Sequence, residues 1–104
     1  MNTTTINVAV HPWEILKEFI DWLWVSQRSF AGLIGKKQAE VSYIINGVRN
    51  INADWAIRLS IAFKNSPEFW LGMQYDYDLY MLNKSKKQEE YSEIAYNLSN
   101  FWVA

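Results

Sequence analysis

Apolar residues recur along most of this 104-residue chain at intervals of three and four, which places them on one face of an α-helix. Glycine, proline and small polar residues divide the pattern into segments. The pattern predicts helices at residues 12–24, 27–34 and 37–46, a fourth that begins at Asn52, a fifth that begins at Ser66 and extends to about residue 82, and a sixth at 91–103.

The predicted helices begin and end at residues suited to those positions. Pro12 and Pro67 fall in first turns, where the missing N–H of proline costs nothing. Ser26, Asn52 and Ser66 are N-caps, and Gly47 ends the third helix. The side chains expected to face the core are Ile15, Leu16, Phe19, Ile20 and Leu23 on the first helix, Phe30, Ala31, Leu33 and Ile34 on the second, Val41, Ile44 and Ile45 on the third, and Trp55, Ile57, Leu59, Ile61, Ala62 and Phe63 on the fourth.

The second and third helices form the most informative unit. Ala31 is small enough for a second helix to approach closely, and Gly35 stands where the turn needs a positive φ. Val41 and Ile44 lie three residues apart, so that both can pack over Ala31. With Gln27 at the start, this is the spacing of a helix-turn-helix, whose second helix enters the major groove of DNA.

The outward side chains of this unit are the candidate DNA contacts. Gln27 and Arg28 lie at a helix N-terminus, which favours a phosphate. Gln38 suits an adenine edge, and the methyl group of Ala39 suits thymine. The predicted set is Gln27, Arg28, Lys37, Gln38, Ala39, Ser42, Tyr43, Asn46 and Arg49, with Lys37, Asn46 and Arg49 expected on phosphates. For each residue taken singly, an ordinary solvated polar side chain is the alternative.

The charge distribution agrees with this placement. The whole chain carries a formal charge of −1, which argues against a protein that is basic all over. Residues 26–50 nevertheless hold four basic residues against Glu40, for a net charge of +3, while the segments on either side carry −2 each. The positive charge therefore coincides with the candidate DNA-binding unit.

Composition narrows the remaining function classes. The chain has no cysteine, so it has no disulfide framework and no thiolate zinc site, which suits the cytoplasm. No apolar run approaches the roughly 18 residues that span a membrane, and residues 1–10 lack the basic start of a secretory signal. We therefore expect a cytoplasmic protein without membrane contact.

Few residues could carry catalysis. His11 is the only histidine, and its place beside a helix start suits a cap or surface residue. Asp76 and Asp78 lie two apart and do not share a helix face, so they do not form a carboxylate pair. With no glycine-rich phosphate loop either, we expect no enzyme activity, no metal site and no cofactor.

The fifth predicted helix carries a large aromatic and apolar load. One interpretation is that this surface belongs to the core. The alternative, which we favour, is that a second subunit covers part of it, because helix-turn-helix domains commonly act as dimers on two-fold related half-sites. The predicted dimer contacts are Phe69, Trp70, Met73, Tyr77 and Tyr80.

The two ends of the chain are less defined. Residues 1–10 form either a frayed arm or a short extended strand. Residues 83–90 are polar and charged, which predicts a linker or a solvated continuation of helix. The final helix is expected to pack on the fifth helix or on a partner. The domain limits are therefore an arm at 1–10, a helix-turn-helix domain at 11–82, and a polar break with a C-terminal helix at 83–104.

Residues 8–79 resemble the HigA/VapI-type antidote proteins of addiction modules, a branch of the Xre/Cro/lambda-repressor-like helix-turn-helix superfamily. The stretches that carry the resemblance are HPWEILKEF from His11, SQR from Ser26, INGVRNINADWAIRLS from Ile45 and SPEFWLGMQYDYDL from Ser66. The resemblance implies an all-α fold: a compact five-helix Cro/lambda-repressor-like domain, here with an extra C-terminal helix.

The resemblance also implies a function. Such a protein binds and neutralises a small HigB-like toxin, an mRNA endonuclease encoded beside it. It forms a homodimer and represses its own operon at a palindromic operator, and the toxin modulates that binding. A helix-turn-helix repressor without a toxin partner is the alternative, and a protein-interaction module that no longer binds DNA is a third possibility.

Several positions depart from the family's pattern. Family members usually carry a small apolar residue in place of Lys36, often a proline in place of Lys37, and often an arginine in place of Glu40. They often carry glycine in place of Trp13 and Asn50. Glu40 on the recognition helix would repel phosphate, although it could accept a hydrogen bond from cytosine.

Overall fold

The computed structural model describes residues 11–85 and 87–103, and within them every regular element is an α-helix. The predicted all-α fold of five helices and an additional C-terminal helix is confirmed. The arm predicted at residues 1–10 lies outside the described residues. The helices are α1 (Pro12–Trp22), α2 (Gln27–Leu33), α3 (Gln38–Ile45), α4 (Ala53–Phe63), α5 (Pro67–Lys84) and α6 (Lys87–Val103).

Side-chain caps set the starts of three helices. Ser26 Oγ accepts a hydrogen bond from Ser29 N at 3.0 Å, and Asn52 Oδ1 accepts one from Trp55 N at 3.0 Å. Ser66 Oγ accepts one from Phe69 N at 3.1 Å. Each cap pairs an amide that has no partner within its helix, so the N-caps predicted at all three positions are confirmed.

The first helix ends two residues earlier than predicted. Leu23 closes it, and Trp24 then takes φ +60°. The two glycines expected at turns, Gly35 and Gly47, both have φ +73°. At Gly47 a Cβ would also lie 3.3 Å from the ring of Trp13, so a larger residue would have to move this ring as well as adopt a positive φ.

One cluster joins the first five helices. Phe63 lies 5.0 Å from Phe19 and 5.5 Å from Phe30, measured between ring centroids. Around these rings the buried core consists of Leu16, Ile20, Phe30, Ala31, Val41, Ile44, Ile45, Ile51, Trp55, Ala56, Leu59 and Trp70. Because Ala31, Val41 and Ile44 are all members, the packing proposed for the helix-turn-helix is present.

Some predicted core positions are wrong. Leu33 is 75% exposed and Ile61 is 74% exposed, and Leu23, Ile57 and Ala62 also lie at the surface. These side chains sit on the outer sides of α1, α2 and α4, which no other helix of the described chain covers. Helix α4 is therefore buried along one face only.

The fifth helix also requires a correction. Trp70 has no exposed surface, and its Nε1 donates a hydrogen bond to Asn65 Oδ1 at 2.8 Å, so it belongs to the core and not to a dimer surface. Buried Gln74 of the same helix accepts a hydrogen bond from Ile51 N at 2.9 Å, which ties α5 to the loop after α3. Phe69 is exposed, and Met73, Tyr77 and Tyr80 are half-buried. For these four, the dimer contact stays a prediction.

His11 is less exposed than predicted. It occupies the N-cap position of α1 without a side-chain cap hydrogen bond. Its ring lies 4.3 Å from that of Trp13 and 4.5 Å from that of Tyr77, which joins the start of α1 to α5. The histidine is therefore part of a half-buried aromatic cluster.

The C-terminal helix stands apart from the core. Helix α5 extends to Lys84 and α6 begins at Lys87, so most of the polar segment 83–90 is helical, as the second of the two alternatives expected. Every side chain from Lys87 to Trp102 is exposed. The alternative expected for this helix, packing on the fifth helix, therefore buries none of these side chains. Packing on a partner stays a prediction.

Candidate nucleic-acid interface

The turn of the helix-turn-helix is fixed from two sides. Lys36 N donates a hydrogen bond to Ala31 O at 2.8 Å, which closes the end of α2. From α4, Arg58 Nη1 donates to Ile34 O at 2.7 Å. A Cβ at Gly35 would lie 2.9 Å from the same nitrogen, so a larger residue would have to displace the end of the Arg58 side chain in addition to adopting φ +73°. The angle between α2 and α3 is therefore set by the core below and by Arg58 beside the turn.

The nine predicted DNA contacts all lie outside the core. Gln27 and Ser42 are half-buried. The other seven, Arg28, Lys37, Gln38, Ala39, Tyr43, Asn46 and Arg49, are exposed. The structure therefore leaves the outer side of α3 and the N-terminus of α2 open, as a helix that enters a groove requires.

Two pairs of side chains are already ordered on this surface. Asn46 Nδ2 donates hydrogen bonds to Ser42 O at 2.9 Å and to Ser42 Oγ at 3.1 Å. The guanidinium of Arg49 lies 5.0 Å from the ring centroid of Tyr43, within the range of a cation–π contact. These contacts reduce the side-chain freedom that binding would otherwise remove.

Lys36 does not belong to the open surface. Its Nζ lies 3.0 Å from Asp54 Oδ2 and 5.3 Å from the ring centroid of Trp55. The side chain is 17% exposed, so it packs along α4 while its charge is paired. This departure from the family's pattern is thus explained inside the fold, and the cations left for phosphates are Arg28, Lys37 and Arg49.

Glu40 is held at the start of α3. Its Oε1 accepts a hydrogen bond from Lys37 N at 3.1 Å, and its Oε2 lies 3.8 Å from Lys36 Nζ. The Lys37 amide, helped by the charges of Lys36, Arg49 and Lys37, lowers the pKa of this carboxyl. A glutamate three residues after the N-cap commonly caps a helix in this way. Part of its negative charge is therefore neutralised within the chain.

Lys36, Glu40, Asp54 and Arg58 form one charged cluster. Its member at the start of α4, Asp54, was not revealed by the sequence. Asp54 carboxylate oxygens accept from Arg58 Nε at 3.1 Å and pair with Lys36, so that Asp54 joins the turn, α3 and α4. Hydrogen bonds from Lys36 and Arg58 lower the pKa of Asp54. The i, i+4 spacing of Asp54 and Arg58 was the available signal, but it gave no indication that Lys36 would meet them.

This cluster predicts how stability depends on pH. A lowered pKa contributes stability above the ordinary values of 3.8 for Asp54 and 4.5 for Glu40, and that stability is lost as the pH falls through the lowered values. Asp54→Asn should lower the melting temperature at neutral pH and make its decline below about pH 4 shallower. Asp76→Asn, at another exposed carboxylate, is the control. An unchanged acid profile in Asp54→Asn would contradict the role given to the cluster.

Other kinds of site find little support in the described part of the chain. Residues 11–85 and 87–103 contain no group of three or more histidine, cysteine or acidic residues that could hold a metal ion. Among these residues no helix is both long and apolar enough to cross a lipid bilayer.

The two helices therefore form one coherent surface. Helix α3 has an open outer face and is fixed against α2, whose N-terminus carries Arg28. Lys37 and Arg49 add two more exposed cations beside α3. This arrangement defines a helix-turn-helix DNA-binding protein of the Cro/lambda-repressor type.

Relatives of known name identify the branch. The chain is 44% identical over 70 residues to virulence-associated protein A′ of Dichelobacter nodosus, which covers 66% of the chain and 61% of that protein. It is 37% identical over 78 residues to antitoxin HigA-1 of Vibrio cholerae, covering 74% of the chain and 72% of the relative. The chain belongs to the HigA/VapI family of helix-turn-helix antitoxins. No family model matches it.

Solved structures agree with this placement. A HigA-family addiction-module antidote protein from Coxiella burnetii is 38% identical with a TM-score of 0.74, covering 81% of this chain and 91% of that one. Pseudomonas aeruginosa antitoxin HigA, solved with the higBA promoter, is 34% identical with a TM-score of 0.72, covering 81% of this chain and 94% of that one.

A further sequence relative is named only as a regulator. An uncharacterised HTH-type transcriptional regulator of Escherichia coli K12 is 32% identical over 68 residues, covering 65% of this chain and 72% of the relative.

Proposed function

We propose that this protein is an autoregulating antitoxin that neutralises a HigB-like mRNA endonuclease and, as a dimer, represses its own operon at a palindromic operator. The observation that carries the DNA-binding part is the open outer face of α3 beside Arg28, Lys37 and Arg49. No ion pair among the described residues engages these three cations. These side chains are therefore available to bind phosphates. We place the protein in the cytoplasm, where operon DNA lies.

In the proposed complex, α3 enters the major groove. Gln38, Ala39, Ser42 and Tyr43 face base edges, while Gln27 and Arg28 reach the phosphate backbone from α2. Lys37, Asn46 and Arg49 contact further phosphates. The cation–π contact with Tyr43 holds the Arg49 guanidinium near the end of α3. In the proposed complex this position lies beside the phosphates at the edge of the major groove.

This arrangement predicts a salt effect. Arg28→Ala and Arg49→Ala should each weaken binding to specific and unrelated DNA alike, because phosphate contacts carry no sequence information. The slope of log affinity against log salt should fall by about 0.9 for each phosphate that the variant no longer neutralises. Fluorescence anisotropy at several salt concentrations measures the slope.

Two controls separate this effect from a change in net charge. Lys17→Ala removes the same charge from α1, and Lys36→Ala removes a cation that Asp54 already holds. Both variants should retain the wild-type slope. If the arginine variants keep that slope too, the phosphate assignments are wrong.

The dimer is proposed to form through α6. Its apolar side chains recur at helical spacing and form one stripe, while its charges lie in its N-terminal part. An antiparallel pair would set each acidic N-terminal part against an uncharged C-terminal part, and so avoid the repulsion of a parallel pair. A helix this exposed gains little stability by itself, so a partner surface is required. The stripe consists of Tyr91, Ile94, Ala95, Leu98, Phe101 and Trp102.

A repressor without a toxin partner is the second candidate function. The similarity to an uncharacterised HTH-type transcriptional regulator of Escherichia coli favours it. The two candidates share the DNA-binding surface and differ only in the partner. Co-purification of the chain with the product of the neighbouring reading frame distinguishes them, since a stable complex forms only for an antitoxin.

A further inference from the structure

An apolar groove lies on the side of the domain formed by α1, α2 and α4. It measures about 450 Å³ and is lined by Leu23, Phe30, Leu33, Ile34, Arg58, Ile61 and Ala62. A second hollow of about 420 Å³ is lined by Glu18, Phe19, Trp22 and Phe63. Phe63 packs on Phe30 of the first and on Phe19 of the second, so the two share a wall. None of the nine predicted DNA contacts lines either one.

Large apolar side chains are exposed at these two hollows and directly beside them in the chain. Trp22 lines the second hollow and is 79% exposed, and Trp24, which follows Leu23 of the first hollow in sequence, is 93% exposed. Leu33 and Ile61, on α2 and α4, add two more exposed side chains. Exposed apolar side chains gathered around a groove are typical of an interaction surface. Tryptophan in particular is enriched where partners bind.

Trp24 carries a second sign of function. It follows the last turn of α1 with φ +60°, a conformation that glycine or asparagine adopts at little cost and a bulky residue does not. Its ring gains almost no burial in return. Neither backbone conformation nor packing within the chain favours tryptophan here. Strain of this kind concentrates at binding sites.

The charges around the groove indicate what kind of partner it takes. On α1, exposed Glu14, Glu18 and Asp21 outnumber Lys17, and Glu18 lines the hollow itself. Arg58, the cation in the groove wall, is engaged by Asp54 and by Ile34 O. Lys64 is an exposed cation at the end of α4. The α1 side is thus acidic and fits a basic protein that inserts apolar side chains.

We infer that this groove binds the toxin, an inference that rests on the proposed function. An enzyme that cleaves RNA needs a basic surface for the RNA backbone, and the acidic α1 beside an apolar groove complements such a surface. Helix α2 carries Leu33 in the groove and Arg28 on the DNA side, about 8 Å apart along its axis. A toxin seated in the groove can therefore influence contact with the operator.

The test is a calorimetric titration of the full chain with the purified product of the neighbouring reading frame. Trp24→Asn removes the ring but keeps a residue suited to φ +60°, and Leu33→Asp places a charge in the groove. Each should weaken binding at least about tenfold, as expected when a central interface side chain is removed. Tyr75→Ala, which removes an exposed aromatic residue from α5, should bind as the wild type does. Thermal melts and operator affinity of the free variants show that their fold and DNA surface are intact.

The outcomes separate the two claims. If the wild type binds the neighbouring product and both groove variants bind it equally well, the toxin lies elsewhere and the inference is wrong, while the antitoxin function stands. If the wild type does not bind that product, the proposed toxin neutralisation fails and the inference fails with it. If the groove variants instead change the oligomeric mass of the free protein, the groove is an interface between copies, which also overturns the inference.

Discussion

Trp70→Ala should lower the free energy of unfolding by about 3–5 kcal/mol, the usual range for removing a buried tryptophan. The ring is fully buried between α1, α4 and α5, in edge contact with Phe19 at 5.5 Å between centroids. Its loss leaves a cavity and removes the hydrogen bond to Asn65 Oδ1. Because a domain of this size is stable by only about 5–15 kcal/mol, this loss would remove a large part of its total stability.

Urea denaturation followed by far-ultraviolet circular dichroism measures this effect. Trp22→Ala is the matched control, since it removes the same side chain from a position that is 79% exposed. The control should change the free energy of unfolding by about 0.5 kcal/mol or less. A Trp70→Ala variant as stable as the wild type would contradict the buried position that the structure gives this ring.

Leu98→Asp together with Phe101→Asp should convert the protein to a folded monomer and weaken operator binding by about 100-fold or more. The two carboxylates would lie in the middle of the proposed α6 pair, where burial of an unpaired charge is unfavourable. A monomer engages one half-site at a time, and so loses the gain in affinity that comes from linking two binding units. Light scattering reports the mass, and anisotropy with the operator reports the affinity.

Asn100→Asp is the control for this pair, because it adds a negative charge on the side of α6 opposite to the apolar stripe. It should leave mass and operator affinity unchanged. A double variant that remains dimeric would show that the dimer forms elsewhere, with Phe69, Met73, Tyr77 and Tyr80 as the remaining predicted contacts. Because both positions are already exposed, loss of the fold is not expected in either variant.

The helix-turn-helix was predictable from sequence because its requirements are local. Ala31, Gly35, Val41 and Ile44 are each restricted by one close contact or one backbone conformation, and all four occupy the expected places. The caps at Ser26, Asn52 and Ser66 were equally predictable, since a cap involves residues three apart. The outward face of α3 follows from the same periodicity.

The errors arose where spacing is ambiguous. Leu33 and Ile61 fit the apolar pattern of their helices, but the pattern cannot distinguish a side chain that faces the core from one that faces a partner. Trp70 illustrates the reverse error, because its burial depends partly on the ring of Phe19 on α1, which lies far away in sequence. Periodicity gives the number of apolar faces, whereas long-range packing decides which of them are covered.

The cluster around Asp54 lay beyond sequence analysis for a related reason. The sequence showed Lys36 and Glu40 only as departures from the family's pattern, with Glu40 as a charge that would repel phosphate. In the structure both are engaged with residues of their own chain, Lys36 with Asp54 and Glu40 with the Lys37 amide. A charged residue on a DNA-binding unit can therefore serve the turn itself, and only the fold reveals its partner.

The most direct test of the central claim is a titration of the full chain against a duplex from its own upstream DNA, followed by fluorescence anisotropy. It is made at about 50 mM and about 200 mM salt, with and without the product of the neighbouring reading frame. We predict saturable binding that is much tighter than to an unrelated duplex, weakens steeply with salt, and changes when the second protein is added. Absence of specific binding at the lower salt concentration, with a stable complex between the two proteins, would contradict the claim, since only the partner-binding role would then remain.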